Sequence, residues 1–362
     1  MRKNVKKQLA LRALSTAVLM AMVSSIATAA FADTYDLNTG SVTVETRDDG
    51  ITYVTQKDAE INEHPDTTGV TITSNGTQTS NTITVETADK QTTNVTLQDV
   101  NIAVDTVKAK SGAIEIKGDG KTNLELNGDN TVLVENDWSE EHAAIEKADK
   151  YGHGTLTIKD DVNDNGKPKT GTKADTTGTL VAGGYHDAAA IGGGEGEFAD
   201  TSNITITGGK ITASGGTYGA GIGGGYTGDA SNIRIEGNAD VIAFGNSGAA
   251  IGSGYHSRVN SDITITDHAT VTAASLDGCG IGGGQDASGK VTITISGNAS
   301  VNAQTRNPPA AIGSDRSSAT VNIKDNADVT AVGGGVAIGT GYSEGTSTVI
   351  NITGGTVNAV TR

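Results

Sequence analysis

From about residue 190 onward, apolar and polar positions recur in a three-part unit. A small-residue and Gly stretch around one isoleucine appears as AAIGGG, AGIGGG, AAIGSG, CGIGGG, AAIGSD and VAIGTG. Its isoleucines are Ile191, Ile222, Ile251, Ile281, Ile312 and Ile338, spaced 31, 29, 30, 31 and 26 residues apart. A second segment with strict alternation follows, carrying Ile204/Ile206, Ile233/Ile235, Ile263/Ile265, Ile293/Ile295, Val321/Ile323 and Ile350/Ile352. A third begins at Ile211, Val241, Val271, Val301, Val329 and Val357. Period-2 alternation is the signature of half-buried strands. Three short strands per unit of about 30 residues, separated by Gly, Asn and Asp, describe one coil of a β-solenoid. The expected fold is all-β: a right-handed, single-stranded parallel β-helix, the hand following the rule for parallel crossovers. Equivalent side chains then stack at the coil spacing of about 4.8 Å.

This repeat explains two G-x-G-x-x-G matches, at Gly219–Gly224 and Gly278–Gly283. A dinucleotide site needs a strand before the glycines, a helix after them and an acid about 20 residues on. None of that context is present, and the two matches are one turn copied twice. Propeller blades would need a longer period and more aromatics. Calcium-binding nonapeptide rolls would need a nine-residue one.

The N-terminus has a different pattern. Arg2, Lys3, Lys6, Lys7 and Arg12 precede an apolar stretch from about Ala13 to Ala29, then Ala30-Phe31-Ala32. Residues 1–32 are expected to be a secretory signal peptide, so the mature chain is expected to be secreted, extracellular or associated with the cell surface. Taking those five cations from a net charge of −16 leaves −21. Such a surface repels nucleic acid and anionic lipid, and no later apolar segment is long enough for membrane insertion. One cysteine, Cys279, excludes a disulfide framework. Aromatics make up 3% of the chain against 50 glycines, so small and β-branched residues must form the core.

Residues 33–110 are Thr- and Val-rich with irregular spacing, expected to form opening coils and a cap. Residues 111–362 are expected to form the regular coils, with a polar loop extruded at 159–178. The stretches VTLQDVNIAV, SGAIEIKGDGKTNLELNGDNTVLV and GTLVAGG…AAIGGG resemble the carbohydrate-binding domain family of clostridial extracellular proteins. The GIGGG coils also resemble repeat surface proteins of Gram-positive bacteria. The resemblance covers roughly residues 90–362 and implies a parallel β-helix in an extracellular glycan-binding or adhesive role.

Candidate binding residues follow from coil position. The fourth residue after each isoleucine is Glu195, Tyr226, Tyr255, Gln285, Arg316 or Tyr342, and Tyr185 follows a similar AGG. Tyrosines stacked on successive coils offer ring faces and phenols to sugars, or else shield a corner. The residue after each isoleucine is always Gly (Gly192, Gly223, Gly252, Gly282, Gly313, Gly339). Those glycines either make a low-relief strip for a polymer or meet a positive-φ turn. Trp138 sits in ENDWSEEHAAIEKADKYGHG with Asp137, Glu140, Glu141, His142, Asp149, Tyr151 and His153. That is either a sugar platform with paired carboxylates or a solvated loop. Asp161, Asn163, Asn165 and Gly166 match the start of a calcium loop, with Thr172 where a bidentate Glu would stand. Calcium is therefore the candidate cofactor, at a weak site. Outward Thr columns also suit an ice-binding face, but Arg234 and Ile242 interrupt them.

The expected function is non-catalytic binding of an extracellular polysaccharide by a secreted bacterial protein, for attachment or substrate capture. One alternative is a structural or adhesive protein binding a host or envelope protein. A second is a polysaccharide lyase or glycoside hydrolase of the pectinase type, which shares the architecture.

Overall fold

In a computed structural model the described residues are 33–135, 142–161, 178–258, 260–342 and 346–362. The expected signal peptide, residues 1–32, lies outside them. Strands account for nearly all regular structure, and the only α-helix among the described residues is the single turn Thr106–Ala109. No described helix is long and apolar enough to cross a membrane.

The chain is a parallel β-solenoid of about eight turns with roughly 30 residues per coil. Its strands fall into three sheets of 11, 9 and 12 strands, and each regular coil contributes one strand to each. In one coil these are Val291–Ile295 in the first sheet, Ser300–Thr305 in the second and Ala310–Ser314 in the third. The second and third parts of the sequence unit thus form the first two sheets, and the Gly-flanked isoleucine forms the third.

Registers bring like residues together. In the third sheet Ile145, Ile191, Ile222, Ile251, Ile281, Ile312 and Ile338 pair in series. The column continues the other way through Ile114 and Ile83 to Val42. In the first sheet Ile206, Ile235, Ile265, Ile295, Ile323 and Ile352 form a second column. In the second sheet Leu180, Ile211, Val241, Val271, Val301, Val329 and Val357 form a third. Alternate residues point inward to one continuous apolar core, which explains how a chain so poor in aromatics stays packed. In the early coils, the inward place later held by Leu156 and Ile204 belongs to Thr93 and Thr122. Their hydroxyls join those of Thr46 and Thr87 at 2.6–2.9 Å, which satisfies them without water.

The two ends differ. At the N-terminal end the third sheet turns antiparallel, with Val42–Thr46 pairing Thr52–Gln56 and that strand pairing Ile61–Asp66. At the other end Thr348–Ile352 and Thr356–Thr361 are the last strands of their sheets, and Ile350 and Ile352 are 44% and 53% exposed.

The six repeated glycines are settled by geometry. All have φ between 133° and 142°, and the first five are buried and lie against the next coil's backbone. A Cβ on Gly223 would sit 1.9 Å from the carbonyl oxygen of Gly252. They serve the turn and the coil stack, not a surface strip along which a polymer could lie.

Candidate functional site

The tyrosines come together at the corner that follows the third sheet. Tyr226 and Tyr255, one coil apart, are stacked with ring centroids 5.9 Å apart and planes at 23°. Tyr218 joins them at 5.7 Å from Tyr226 and 5.2 Å from Tyr255. Backbone bonds fix the group: the Tyr255 N–H donates to the Tyr218 carbonyl at 2.9 Å, and the Thr227 N–H to the Tyr255 carbonyl at 2.8 Å. His186 meets Tyr218 edge-on at 5.2 Å, and His256 lies 3.9 Å from Tyr255. Burial, followed by the charge and hydrogen bond of Asp286, raises the Tyr255 phenol above its ordinary pKa.

The rings of Tyr226 and Tyr255 turn one face each toward the other, and both side chains remain partly exposed. Beside them lies a depression of about 570 Å³ lined by Asp200, Tyr226, Thr227, Asp229, His256 and Arg258. Two carboxylates, an imidazole and a guanidinium around that hollow suit hydrogen bonding to a hydroxyl-rich ligand.

The other tyrosines stand apart. Tyr342 is 52% exposed on the last coil, separated from Tyr255 by the coils of Gln285 and Arg316. Arg316 lies over its ring at 5.4 Å and pairs with Asp286 at 2.6 Å. Tyr185 is 41% exposed on the coil before Tyr218, beside the His186 that touches that ring. Tyr218 was missed in the sequence because it occupies a turn, GGTYGA, outside the repeated tyrosine position.

Trp138, Asn163 and Asn165 lie outside the described residues. Asp161 accepts from Lys159 at 2.8 Å and donates its backbone N–H to Glu125, so a cation here would compete with an ammonium group.

From His142 on, polar side chains gather on the side of the third sheet opposite the Ile114 and Ile145 core face. His142 and Tyr151 enter one cluster with Glu146 and with Glu115 from the preceding coil. Glu115 and Glu146 are register neighbours in the third sheet, and the next residue in that row is Gly192. His142 Nδ1 lies 3.1 and 2.9 Å from the two Glu146 oxygens, and the Ala143 N–H donates to Glu146 at 3.0 Å. Tyr151 donates to Glu115 Oε1 at 3.3 Å, and Lys117 pairs with Glu115 Oε2 at 2.8 Å. Phe198 covers His142 and Tyr151, with centroids 5.2 Å away in each case. Burial raises the Glu146 carboxyl pKa against the opposing pull of His142. Among the described residues, Glu115, His142 and Glu146 are the group able to hold a metal ion, with ligand atoms all within 4.8 Å of one another. Asp149 and His153 stay outside: Asp149 faces the buried Lys147 at 3.5 Å, and His153 is exposed. The sequence signal for Glu146 was present but unread: AAIE stands where later coils have AAIG.

A family model described as a beta helix repeat matches residues 204–226 and 263–285. Each stretch runs from the first-sheet strand through the second and third, and the first ends on Tyr226. No curated protein and no solved structure matches the chain. On fold and repeat together, the chain is a parallel β-solenoid whose coils are similar to beta helix repeats.

Proposed function

We propose that this is a secreted bacterial β-solenoid that binds extracellular polysaccharide without cleaving it, for attachment or substrate capture. The observation that carries this reading is the Tyr218–Tyr226–Tyr255 cluster flanking the depression at Asp200, Asp229 and Arg258. Aromatic side chains with polar tips suit ligands that are apolar on one side and hydroxylated on the other. Carboxylates accept from sugar hydroxyls and Arg donates to ring and hydroxyl oxygens. A neutral, hydroxyl-rich chain fits this mixed lining best. An acidic polymer would meet repulsion from the −21 mature surface and would need a bridging divalent cation, calcium in the first instance.

The test is affinity electrophoresis of the purified chain in gels containing neutral or acidic polysaccharides, with and without chelator. Retardation by a neutral glycan, unaffected by chelator, is expected, as is retardation by polygalacturonate only when calcium is present. Polymers should be recovered uncut. No retardation in any gel overturns the reading, and unsaturated uronide or new reducing ends would turn it into the lyase or hydrolase alternative.

A further inference from the structure

The regular coils carry Gly at the turn after the third-sheet isoleucine, a place with no room for a side chain. Two coils break that rule on adjacent rungs, Glu115 and Glu146, and both side chains are buried, at 6% and 0% exposure. Two carboxylates one coil apart, out of water on the side of the third sheet opposite the Ile114 and Ile145 core face, repel each other. The solenoid keeps them, and adds an imidazole from His142 and a phenol from Tyr151 at the same point.

We propose that Glu115, His142 and Glu146 form a buried binding site for a divalent d-block cation of the zinc class. This is independent of the polysaccharide reading. The donor set is one nitrogen and carboxylate oxygens, which zinc binds at about 2.0–2.2 Å. Calcium, which collects 6–8 oxygen ligands, is poorly served by an imidazole. The ligand atoms lie within 4.8 Å of one another, and closing tetrahedrally on one ion would draw them in to about 3.5 Å. A 2+ ion between the two carboxylates would balance their charge, with His142 beside Glu146 and Lys117 beside Glu115. Lys117 holds Glu115 Oε2, which leaves Oε1 toward the ion, with the Tyr151 hydroxyl beside it. Phe198 closes the cluster on the imidazole and phenol side. The site is enclosed, so the ion would tie coils together and tune the fold, with no substrate reaching it.

The probe is Co2+, whose visible d–d absorption reports ligation inside a protein. Full-length mature chain, stripped with chelator, is titrated with Co2+ and then with Zn2+. A saturable band that Zn2+ displaces is expected, with a higher melting temperature in the metal-loaded protein. His142→Gln and Glu115→Gln should lose the band while keeping the β circular dichroism spectrum. His268→Ala, an exposed imidazole on another turn, should keep it. Absence of any band in the wild-type chain overturns the proposal, as does a band undiminished in both His142→Gln and Glu115→Gln.

Discussion

The α-carbon of Gly252 faces the carbonyl oxygen of Gly282 one coil away, so closely that a Cβ there would lie 1.9 Å from that oxygen. Gly252 also has φ of 138°, a conformation that L side chains rarely adopt. Gly252→Ala must therefore push two coils apart and strain the backbone together. The expected loss is on the order of 2 kcal/mol or more, read as a lower denaturant midpoint. Gly196→Ala is the contrast: it has φ of 61° but nothing within 4 Å of its Cβ, so it should lose less.

Ile265 is fully buried between Ile235 and Ile295 in the first-sheet column. Ile265→Asp puts an unpaired carboxylate in the core and should cost on the order of 3 kcal/mol or more. Thr264→Asp, its outward neighbour in the same strand, should cost far less. Equal losses by thermal melting would mean that the inward and outward faces are misassigned.

Asp315 gives the fold a pH dependence of unusual sign. It is buried, its Oδ2 accepts from the Asp286 N–H at 2.6 Å, and its Oδ1 has no hydrogen-bond partner among the described residues. Burial raises its pKa from 3.8 to about 6, and the nearby Asp286 charge adds to the rise. The folded chain therefore holds this proton more tightly than the unfolded chain. Its contribution to stability is present below pH 3.8 and is lost as pH rises through about 6. Asp315→Asn keeps an acceptor for the Asp286 N–H and removes the charge. It should melt higher than wild type at pH 7 and close to it at pH 4. A variant less stable at pH 7 would show that the ionised carboxylate is a net stabiliser.

Much of this architecture can be read from the sequence because a solenoid repeats its solution. Ile191 to Ile338 recur with the same flanks, and each falls in register with the next. The same column reaches back to Ile83 and Val42, yet 41 residues separate those two in the chain. The antiparallel strands inserted between them hide the period. Buried polar residues were harder to foresee. Asn130 occupies an inward place beside Leu180 because it can bond the Val100 N–H and the carbonyls of Asn127 and Thr179, partners that only folding supplies. At the candidate sites, coil position brought Tyr226 and Tyr255 together, since both occupy one repeated place. Tyr218, Glu115 and Glu146 depart from the repeat, and periodicity passes over departures.

The measurement that bears most directly on the polysaccharide reading is the affinity of Tyr226→Ala/Tyr255→Ala for whichever neutral glycan retards the wild-type chain. Both side chains lie outside the core; Tyr226 lines the depression, with Tyr255 stacked on it and Tyr218 against both rings. If each ring contributes on the order of 1 kcal/mol, the double variant should bind roughly tenfold more weakly or worse. Its melting temperature should fall only slightly. Unchanged affinity together with a clearly lower melting temperature would contradict the account, and would make the tyrosines a brace for the corner of the solenoid.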